Sequence, residues 1–203
     1  MALSTYLELQ NSILDWIVRP DLAALAPDWI RLLEARVEQE LTLSAQVTQF
    51  TGTLVAGTAT LSLPADCSQI ENVYLSLDPR GALQYVTPQQ LVARRDASVG
   101  GQPRVYTSIG SALQFAPIPD AAYAYVLSYY ATLPALSVAD TNWLLQHAPG
   151  VYLYGSLVEA ALYTQDDQAA LKWEALYRRA TSGVVLADEQ GKPSGSVLRV
   201  RNL

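Results

Sequence analysis

The chain has few of the residues on which metal sites and disulfides depend. Its 203 residues include one cysteine, Cys67, and one histidine, His147. A single cysteine cannot form an internal disulfide, and a single histidine excludes a multi-histidine metal site and leaves a Ser-His-Asp triad with one possible base. The composition therefore gives no sign of an oxidising compartment, and we expect a cytosolic origin and no cofactor.

Positive charge and long apolar runs are also scarce. There are 13 lysines and arginines against 19 acidic residues, which gives a formal net charge of -6. Sequence-independent binding to nucleic acid requires clustered lysine and arginine, so we do not expect tight DNA binding. No apolar run approaches the roughly 20 residues that cross a bilayer, and the N-terminus lacks a basic export segment. We therefore expect neither a membrane protein nor a classically exported one.

The few candidates for catalysis have simpler structural interpretations. His147 stands shortly before Pro149 and is typical of a surface cation at a helix C-terminus. Cys67 follows a turn and has no neighbouring lysine or arginine that would activate its thiol. Asp166 and Asp167 are typical of acids at a helix N-terminus. None of these residues indicates an active site.

One pair of acids needs separate consideration. Glu34 and Glu38 lie on one helical face, and paired acids can hydrolyse glycosides. Arg31 and Arg36 are close in sequence, so a solvated, salt-bridged face is the simpler interpretation. We predict that the chain is not an enzyme.

Helical signals occupy both ends of the chain. Thr5 and Glu8 form a capping box ahead of a helix that Pro20 should end, and Pro27 opens a second helix. After Pro134 helical spacing returns, and it predicts three helices at about 142–147, 149–163 and 166–188.

The central part of the chain has the pattern of short strands. From Gln46 onward, threonine, valine, leucine and glycine alternate with the period of two that suits half-buried strands. Six or seven strands are expected, including segments 58–63, 70–77, 82–86, 104–109, 112–115 and 123–130. Residues 78–81 should form a turn, and a short helix should run from Thr87 to about Arg95.

This order predicts an α+β fold. The first and last helices should pack as one antiparallel helical bundle, because each has an apolar face that needs a partner, and the strands should form an inserted antiparallel β domain. We therefore predict a bundle of residues 1–45 and 135–190, a β domain of residues 46–134, and an extended C-terminal tail of residues 191–203.

Aromatic residues indicate protein contacts. The chain has 12 tyrosines and 4 tryptophans but only 2 phenylalanines, and tyrosine and tryptophan suit interfaces that are partly wet. The helices carry more of these rings than a small bundle normally encloses, so we predict that some of them lie in subunit interfaces. The predicted interface residues are Trp16, Trp29, Trp143, Tyr152 and Trp173. Tyr125 and Tyr129, on the last strand, could face either the core or a partner.

The order and spacing of several segments resemble a known family. These segments are 15–16, 19–22, 29–30, 34–36 and 63–66 in the first half, and 142–145, 148–157, 159–160, Trp173, Tyr177 and 194–196 in the second. Together they resemble the head-to-tail adaptor proteins of tailed bacteriophages, the podovirus-type connectors beneath the portal. The resemblance spans almost the whole chain, and it departs from the pattern at Arg19 and Pro20.

The resemblance implies a structural virion protein that is assembled in the host bacterial cytoplasm. It implies a homo-oligomeric ring of twelve copies, docked on the portal protein and offering its β domains to a tail nozzle or tail tube protein. Genomic DNA would pass through the ring without specific binding. The acidic net charge agrees with this role, because a conduit wall along which DNA slides should not bind it.

The C-terminal tail is the predicted portal contact. Pro193 and Gly195 disfavour a helix, and the five residues that follow Ser196 alternate between apolar and basic side chains. Such a segment can add to a sheet edge through backbone hydrogen bonds while its arginines meet acidic groups. The predicted portal-binding residues are Val197, Leu198, Arg199, Val200 and Arg201. A disordered solubilising tail is the alternative.

Two other functions remain open from the sequence. A peptidoglycan hydrolase of the virion would rest on acid pairs alone, and a turbidity assay on cell walls would detect it. Another neck or tail-completion protein would share this composition, and a pull-down with portal would separate it from an adaptor.

Overall fold

The computed structural model describes residues 3–76, 82–95 and 100–191. Its helices are α1 (Tyr6–Ile17), α2 (Ala26–Glu40), α3 (Pro88–Arg94), α4 (Leu136–Ala139), α5 (Trp143–His147), α6 (Pro149–Tyr163) and α7 (Asp167–Gly191), with 3₁₀ helices at Pro20–Leu25 and Ser44–Gln46. Its strands are β1 (Val47–Leu54), β2 (Thr60–Ser62), β3 (Cys67–Leu75), β4 (Gln84–Tyr85), β5 (Val105–Ile109), β6 (Ala112–Ala116) and β7 (Tyr123–Ala131). The chain divides into two compact units, a helical unit up to Ala45 and from Leu133 onward, and a β unit of Gln46–Thr132.

Local signals bound the first helix. The Thr5 hydroxyl accepts a hydrogen bond from the Glu8 N–H at 3.3 Å, and the Glu8 carboxylate accepts one from the Thr5 N–H at 3.2 Å, so the predicted capping box is present. Helix α1 ends before Pro20, because Val18 has a left-handed φ of 53°. Pro20 instead begins a 3₁₀ helix that leads into α2, and the sequence did not predict this connection.

Helices α2, α6 and α7 pack on one another and form the centre of the helical unit, and α1 and α5 also pack against α6. Helix α6 carries one charged residue, Glu159, and is buried along most of its length, as expected for a central helix. Helices from both ends of the chain therefore share one core, which confirms that part of the predicted fold. Its largest fully buried side chains are Leu9, Ile13, Ile30, Leu33, Leu43, Tyr152 and Tyr177.

The β unit contains two small sheets. The three-stranded sheet has the order β1-β7-β3, and the four-stranded sheet has the order β2-β6-β5-β4. Both sheets contribute to one apolar cluster, whose fully buried members include Val73, Leu113, Phe115 and Leu127. Helix α3 covers a smaller cluster of Val86, Leu91, Val105 and Ala116.

One strand pairing differs from the wholly antiparallel domain that we predicted. Strands β4 and β5 pair in parallel, with Gln84 opposite Val105 and Tyr85 opposite Tyr106. Parallel neighbours need a crossover connection, and α3 lies in the segment that joins these two strands. The remaining described strand pairs are antiparallel.

The predicted helix boundaries hold closely in the C-terminal part of the chain. Helix α6 has the predicted bounds, and Asn142 caps α5 by accepting a hydrogen bond from the Leu145 N–H at 2.9 Å. Helix α7 runs to Gly191 rather than to Asp188, and α4 was not predicted. The predicted turn at 78–81 and all but the first residue of the predicted tail lie outside the described residues. Within the described ranges, none of the helices has the length and hydropathy needed to cross a membrane.

Candidate interaction surfaces

Trp16 is the most exposed of the predicted interface residues. It lies on α1 with 44% of its surface accessible, and its ring packs 5.4 Å from that of Trp173 and 6.1 Å from that of Tyr154. Tyr154 and Trp173 stack with an interplanar angle of 7°, and the ammonium of Lys172 lies 4.3 Å from the centroid of the Trp173 ring. The outer ring of this aromatic cluster is therefore available to a partner.

Trp143 is partly exposed and stacks on an exposed histidine. The rings of Trp143 and His147 lie 4.7 Å apart with an interplanar angle of 16°. The Nδ1 atom of His147 lies 2.9 Å from the Trp143 carbonyl oxygen, which can only accept, so we assign the proton to Nδ1. This contact uses one ring nitrogen within its own helix, so the histidine shows no arrangement for catalysis.

The Trp143 and His147 side chains line an open groove on the helical unit. The groove has a volume of about 640 Å³ and lies between the start of α6 and the second half of α7. Its floor consists mainly of small residues, and Gly191 at the end of α7 lies at its margin. The sequence did not predict this groove, because its residues come mainly from the segment 143–151 and from the second half of α7, which are distant along the chain. The small lining residues are Ala148, Gly150, Ala180, Gly183 and Ala187.

The other three predicted interface residues are buried within the helical unit. Trp29 is 3% exposed, Tyr152 is 1% exposed and Trp173 is 9% exposed. The Tyr152 hydroxyl accepts a hydrogen bond from the Asn142 amide at 2.7 Å, and burial raises the pKa of Tyr152 to about 12. All three side chains pack in the core of the helical unit, and Trp16 and Trp143 are the more exposed of the five predicted interface residues.

The predicted solvated face of α2 is only partly present. Glu38 is exposed, but Glu34 is half-buried and accepts a hydrogen bond from the Leu136 N–H at 2.8 Å, where it caps the start of α4. Burial raises the pKa of the Glu34 carboxyl group. This corrects our interpretation of Glu34 as a solvated acid. Because Glu34 is engaged by Leu136 and Glu38 is exposed, the two carboxylates do not form the acid pair that glycoside hydrolysis would need.

An ion-paired group joins α2 to α7. The Arg36 guanidinium donates two hydrogen bonds of 2.9 Å to the Glu174 carboxylate and one of 2.8 Å to Glu40. The Tyr177 hydroxyl donates to Glu40 at 2.8 Å, and Arg36 lies 4.3 Å from the centroid of the Tyr177 ring. Arg178 adds a 2.7 Å bond to Glu174. Glu40 and Glu174 therefore have structural partners on both helices.

The remaining candidates for chemistry are not assembled into a site. Cys67 is half-buried in the β unit, and burial together with Asp66 raises the pKa of its thiol, which disfavours the nucleophilic thiolate. Asp166 accepts a hydrogen bond from the Ala169 N–H at 3.0 Å at the start of α7, as a helix N-terminal acid does. Among the described residues, no group of three or more histidines, cysteines or acids could hold a metal ion.

Two tyrosines of β7, Tyr125 and Tyr129, face the core of the β unit. Tyr125 is 2% exposed and Tyr129 is 4% exposed. The Tyr129 hydroxyl donates to the Asp66 carboxylate at 3.1 Å. This decides the orientation that the sequence left open, because both rings belong to the apolar cluster between the sheets.

The β unit has two surface features that the sequence did not predict. One is the outer edge of β1, on which Val47 and Phe50 are exposed. The other is a groove of about 700 Å³ beside β3, lined by residues of β3, β4 and β5 and by the segments that follow β2 and β5. Both depend on strand pairing between segments distant in sequence.

Comparison with known proteins gives one family. The model of the SU10 adaptor protein family matches residues 4–201, which include both units. A search of curated proteins finds no match.

Proposed function

The chain belongs to the SU10 adaptor protein family, and from that premise we propose that it joins the head of a tailed phage to its tail as a podovirus-type connector. The family is one of phage adaptor proteins, so its role is structural rather than catalytic and implies binding to neighbouring virion proteins. The match over nearly the whole chain is the observation that carries this proposal.

We propose a ring of twelve copies between the portal protein and a tail nozzle or tail tube protein. Twelve is the ring size that the resemblance implies, and head-to-tail contacts between identical subunits form a closed ring when the rotation between subunits closes. The net charge of -6 supports a conduit through which genomic DNA passes, since an acidic wall does not bind phosphate. The proposed location is the virion neck, after assembly in the host cytoplasm.

Trp16 and Trp143 are the proposed protein contacts of the helical unit. Both combine a large apolar ring with partial exposure, and each lies in an aromatic cluster that holds it in place. Rigid, partly exposed aromatic rings are typical of residues that dominate binding energy. The groove beside Trp143 offers a concave apolar surface next to one of them.

The C-terminal residues Val197, Leu198, Arg199, Val200 and Arg201 remain our proposed portal anchor. They lie outside the described residues, so the support comes from their alternating sequence and from the end of α7, which lies at the margin of an apolar groove. The alternation would place apolar side chains on one side of an extended segment and arginines on the other.

Co-sedimentation with portal particles tests this assignment. Deleting residues 192–203 leaves α7 whole, so we expect an unchanged helical circular dichroism spectrum and loss of the chain from the portal pellet. A variant with the same twelve residues in scrambled order is the matched control for length and charge. Portal binding by the truncated chain that equals that of the full chain would exclude the anchor. Absence of binding by the full chain would contradict the adaptor function itself.

A further inference from the structure

The outer edge of β1 is long and carries no charge. Its eight residues, Val47–Leu54, pair with β7 in an unbroken register. In the part of the chain that the structure describes, no strand lies on the other side of β1. The uncharged sequence extends well beyond the strand, because residues 41–65 contain no aspartate, glutamate, lysine or arginine.

The strand pairing identifies which backbone groups of β1 face this edge. The Ser76 N–H donates to the Ala124 carbonyl at 2.8 Å, so the peptide groups of Ala124 point towards β3. Because these directions alternate along a strand, the peptide groups of Tyr125 point towards β1, where Tyr125 is opposite Gly52. The groups that point away from β7 are therefore those of Val47, Gln49, Thr51 and Thr53.

The edges formed by β2 and β4 are protected in a way that β1 is not. Strand β2 has three residues and β4 has two. Short strands are a usual means of preventing unwanted pairing, whereas a long uncharged edge pairs readily with another strand. The first part of β3 also lacks a second neighbour among the described residues, although it has register irregularities between Cys67 and Gln69 and between Ile70 and Asn72 and carries Glu71.

The groove beside β3 lies where a further strand would pair with the free edge of β3. The Leu83 N–H donates to the Val73 carbonyl at 2.7 Å, but the next residue, Gln84, donates to the Arg104 carbonyl beside β5. The chain thus leaves β3 at this point and joins the other sheet. The first part of β3 and the last part of β5 then have no common neighbour among the described residues, and the groove of about 700 Å³ lies between them.

The two features belong to opposite edges of one sheet. In the order β1-β7-β3, both outer strands are antiparallel to β7, so β1 and β3 run in the same direction. A second copy placed beside the first in the same orientation would bring its β1 next to β3 in a parallel pairing. Such a contact uses different surfaces on the two copies, and it generates a ring when the rotation between successive copies closes.

We propose that β1 of one copy occupies the groove of the next and pairs with the first part of β3. This inference rests on the ring that we proposed above and names the surfaces that join its copies. Glu71 is the single charged side chain among the groove residues that the structure describes, and the uncharged β1 brings no like charge against it. Phe50, 45% exposed, lies on the Tyr125 side of the sheet and would meet the apolar groove residues Ile70 and Tyr106.

Cysteine cross-linking tests this pairing directly, because Cys67 is the only cysteine of the chain and lines the groove. Single cysteines would replace Thr48 or Phe50, whose side chains lie on the same side of the sheet as Tyr125 and Cys67, and disulfides would be formed with copper phenanthroline. A bond within one copy is excluded, since β7 separates the two strands by two spacings of about 4.8 Å, beyond the Cα separation of about 7 Å that a disulfide allows.

We expect at least one of these two positions to give a ladder of cross-linked chains that extends past the dimer. Adding Cys67→Ser should abolish the ladder, and Ser137→Cys, an exposed control in the helical unit, should not produce it. Thr51→Pro removes an N–H that faces the free edge and leaves the bonds to β7 intact. Combined with Thr48→Cys, it should lower the cross-linking yield roughly fivefold, as expected for one lost hydrogen bond.

The outcomes separate this inference from the adaptor function. The scan is carried out on portal-bound particles and on the concentrated chain alone. Portal binding without a cross-link to Cys67 at any position would overturn the strand pairing and leave the adaptor function intact. Dimers that persist with Cys67→Ser would also overturn it, because they indicate a two-fold pairing of β1 with β1. A ladder from the free chain without portal binding would support the pairing and contradict the adaptor function.

Discussion

Gly155 allows α2 and α6 to pack closely. A Cβ atom at this position would overlap Cδ1 of Leu33 and lie 3.0 Å from its Cδ2 atom. Leu33 is fully buried in the core of the helical unit, so it has no free space into which it could move. Glycine destabilises a helix interior, but at this position the close packing against Leu33 that a missing side chain permits outweighs that cost.

We expect Gly155→Ala to lower the free energy of unfolding of the helical unit. Overpacking costs about 1–3 kcal/mol, which exceeds the gain of about 1 kcal/mol in helix propensity. Urea denaturation followed by circular dichroism at the helical band measures the difference. Gly183→Ala on α7 is the matched control, because its Cβ would have no neighbour within 4 Å and the substitution should stabilise the helix. Equal effects of the two substitutions would contradict the packing explanation.

At the scale of elements, the bond between Arg36 and Glu174 ties α2 to α7. Both side chains are less than one third exposed, at 27% and 22%, so solvent screens the pair less than it would on an open surface. The hydrogen bonds from Arg36 hold the pKa of Glu174 below its ordinary value of 4.5. A carboxylate with a lowered pKa in the folded state stabilises that state when it is ionised.

The stabilisation by Glu174 should therefore depend on pH in one direction. It should be fully present above the ordinary pKa of 4.5 and be lost as the pH falls through the lowered pKa of the folded state. We expect Glu174→Gln to lower the melting temperature at neutral pH and to flatten the loss of stability below pH 4.5. Glu38→Gln is the control, because it also removes one negative charge but at an exposed position. An identical acid profile for the wild type and Glu174→Gln would refute the role of this pair.

The elements also show which parts of the fold a sequence pattern can predict. The caps at Thr5, Thr87 and Asn142 were predictable because their hydrogen bonds join residues three apart in the chain. Glu34 was misinterpreted because its partner, the Leu136 N–H, is 102 residues away. The parallel pairing of β4 with β5 was missed for a different reason. A strand of two residues, such as β4, has no periodicity from which its partner or direction could be predicted.

The candidate surfaces were also predictable only in part from the sequence. The composition correctly indicated that aromatic rings matter, but spacing alone could not tell the buried Tyr152 from the exposed Trp16. A helical apolar row looks alike in either case, because both a core and an interface need one apolar face. The uncharged stretch around β1 was visible in the sequence. Its meaning required the sheet order, which places that strand at an edge.

At the scale of the whole molecule, each unit has a core of its own. The buried residues of the helical unit form one apolar cluster, and those of the β unit form two others. The chain enters and leaves the β unit at neighbouring points, because Val47 at the start of β1 is the antiparallel partner of Tyr130 near the end of β7. Such partners lie only about 5 Å apart, so a short linker can replace everything between them.

We therefore expect the helical unit to fold when Gln46–Thr132 is replaced by a short Gly-Ser linker. The shortened chain should give a more helical circular dichroism spectrum, melt cooperatively and still sediment with portal particles, because it keeps the exposed aromatic rings and the C-terminal residues. A deletion that starts at Leu41 is the matched control. It also removes Leu41 and Leu43, which are 6% and 1% exposed in the helical core, and should melt at a clearly lower temperature. If the shorter deletion also abolished cooperative melting, the helices would depend on the β unit for their stability, and the separate apolar clusters would not correspond to two independent domains.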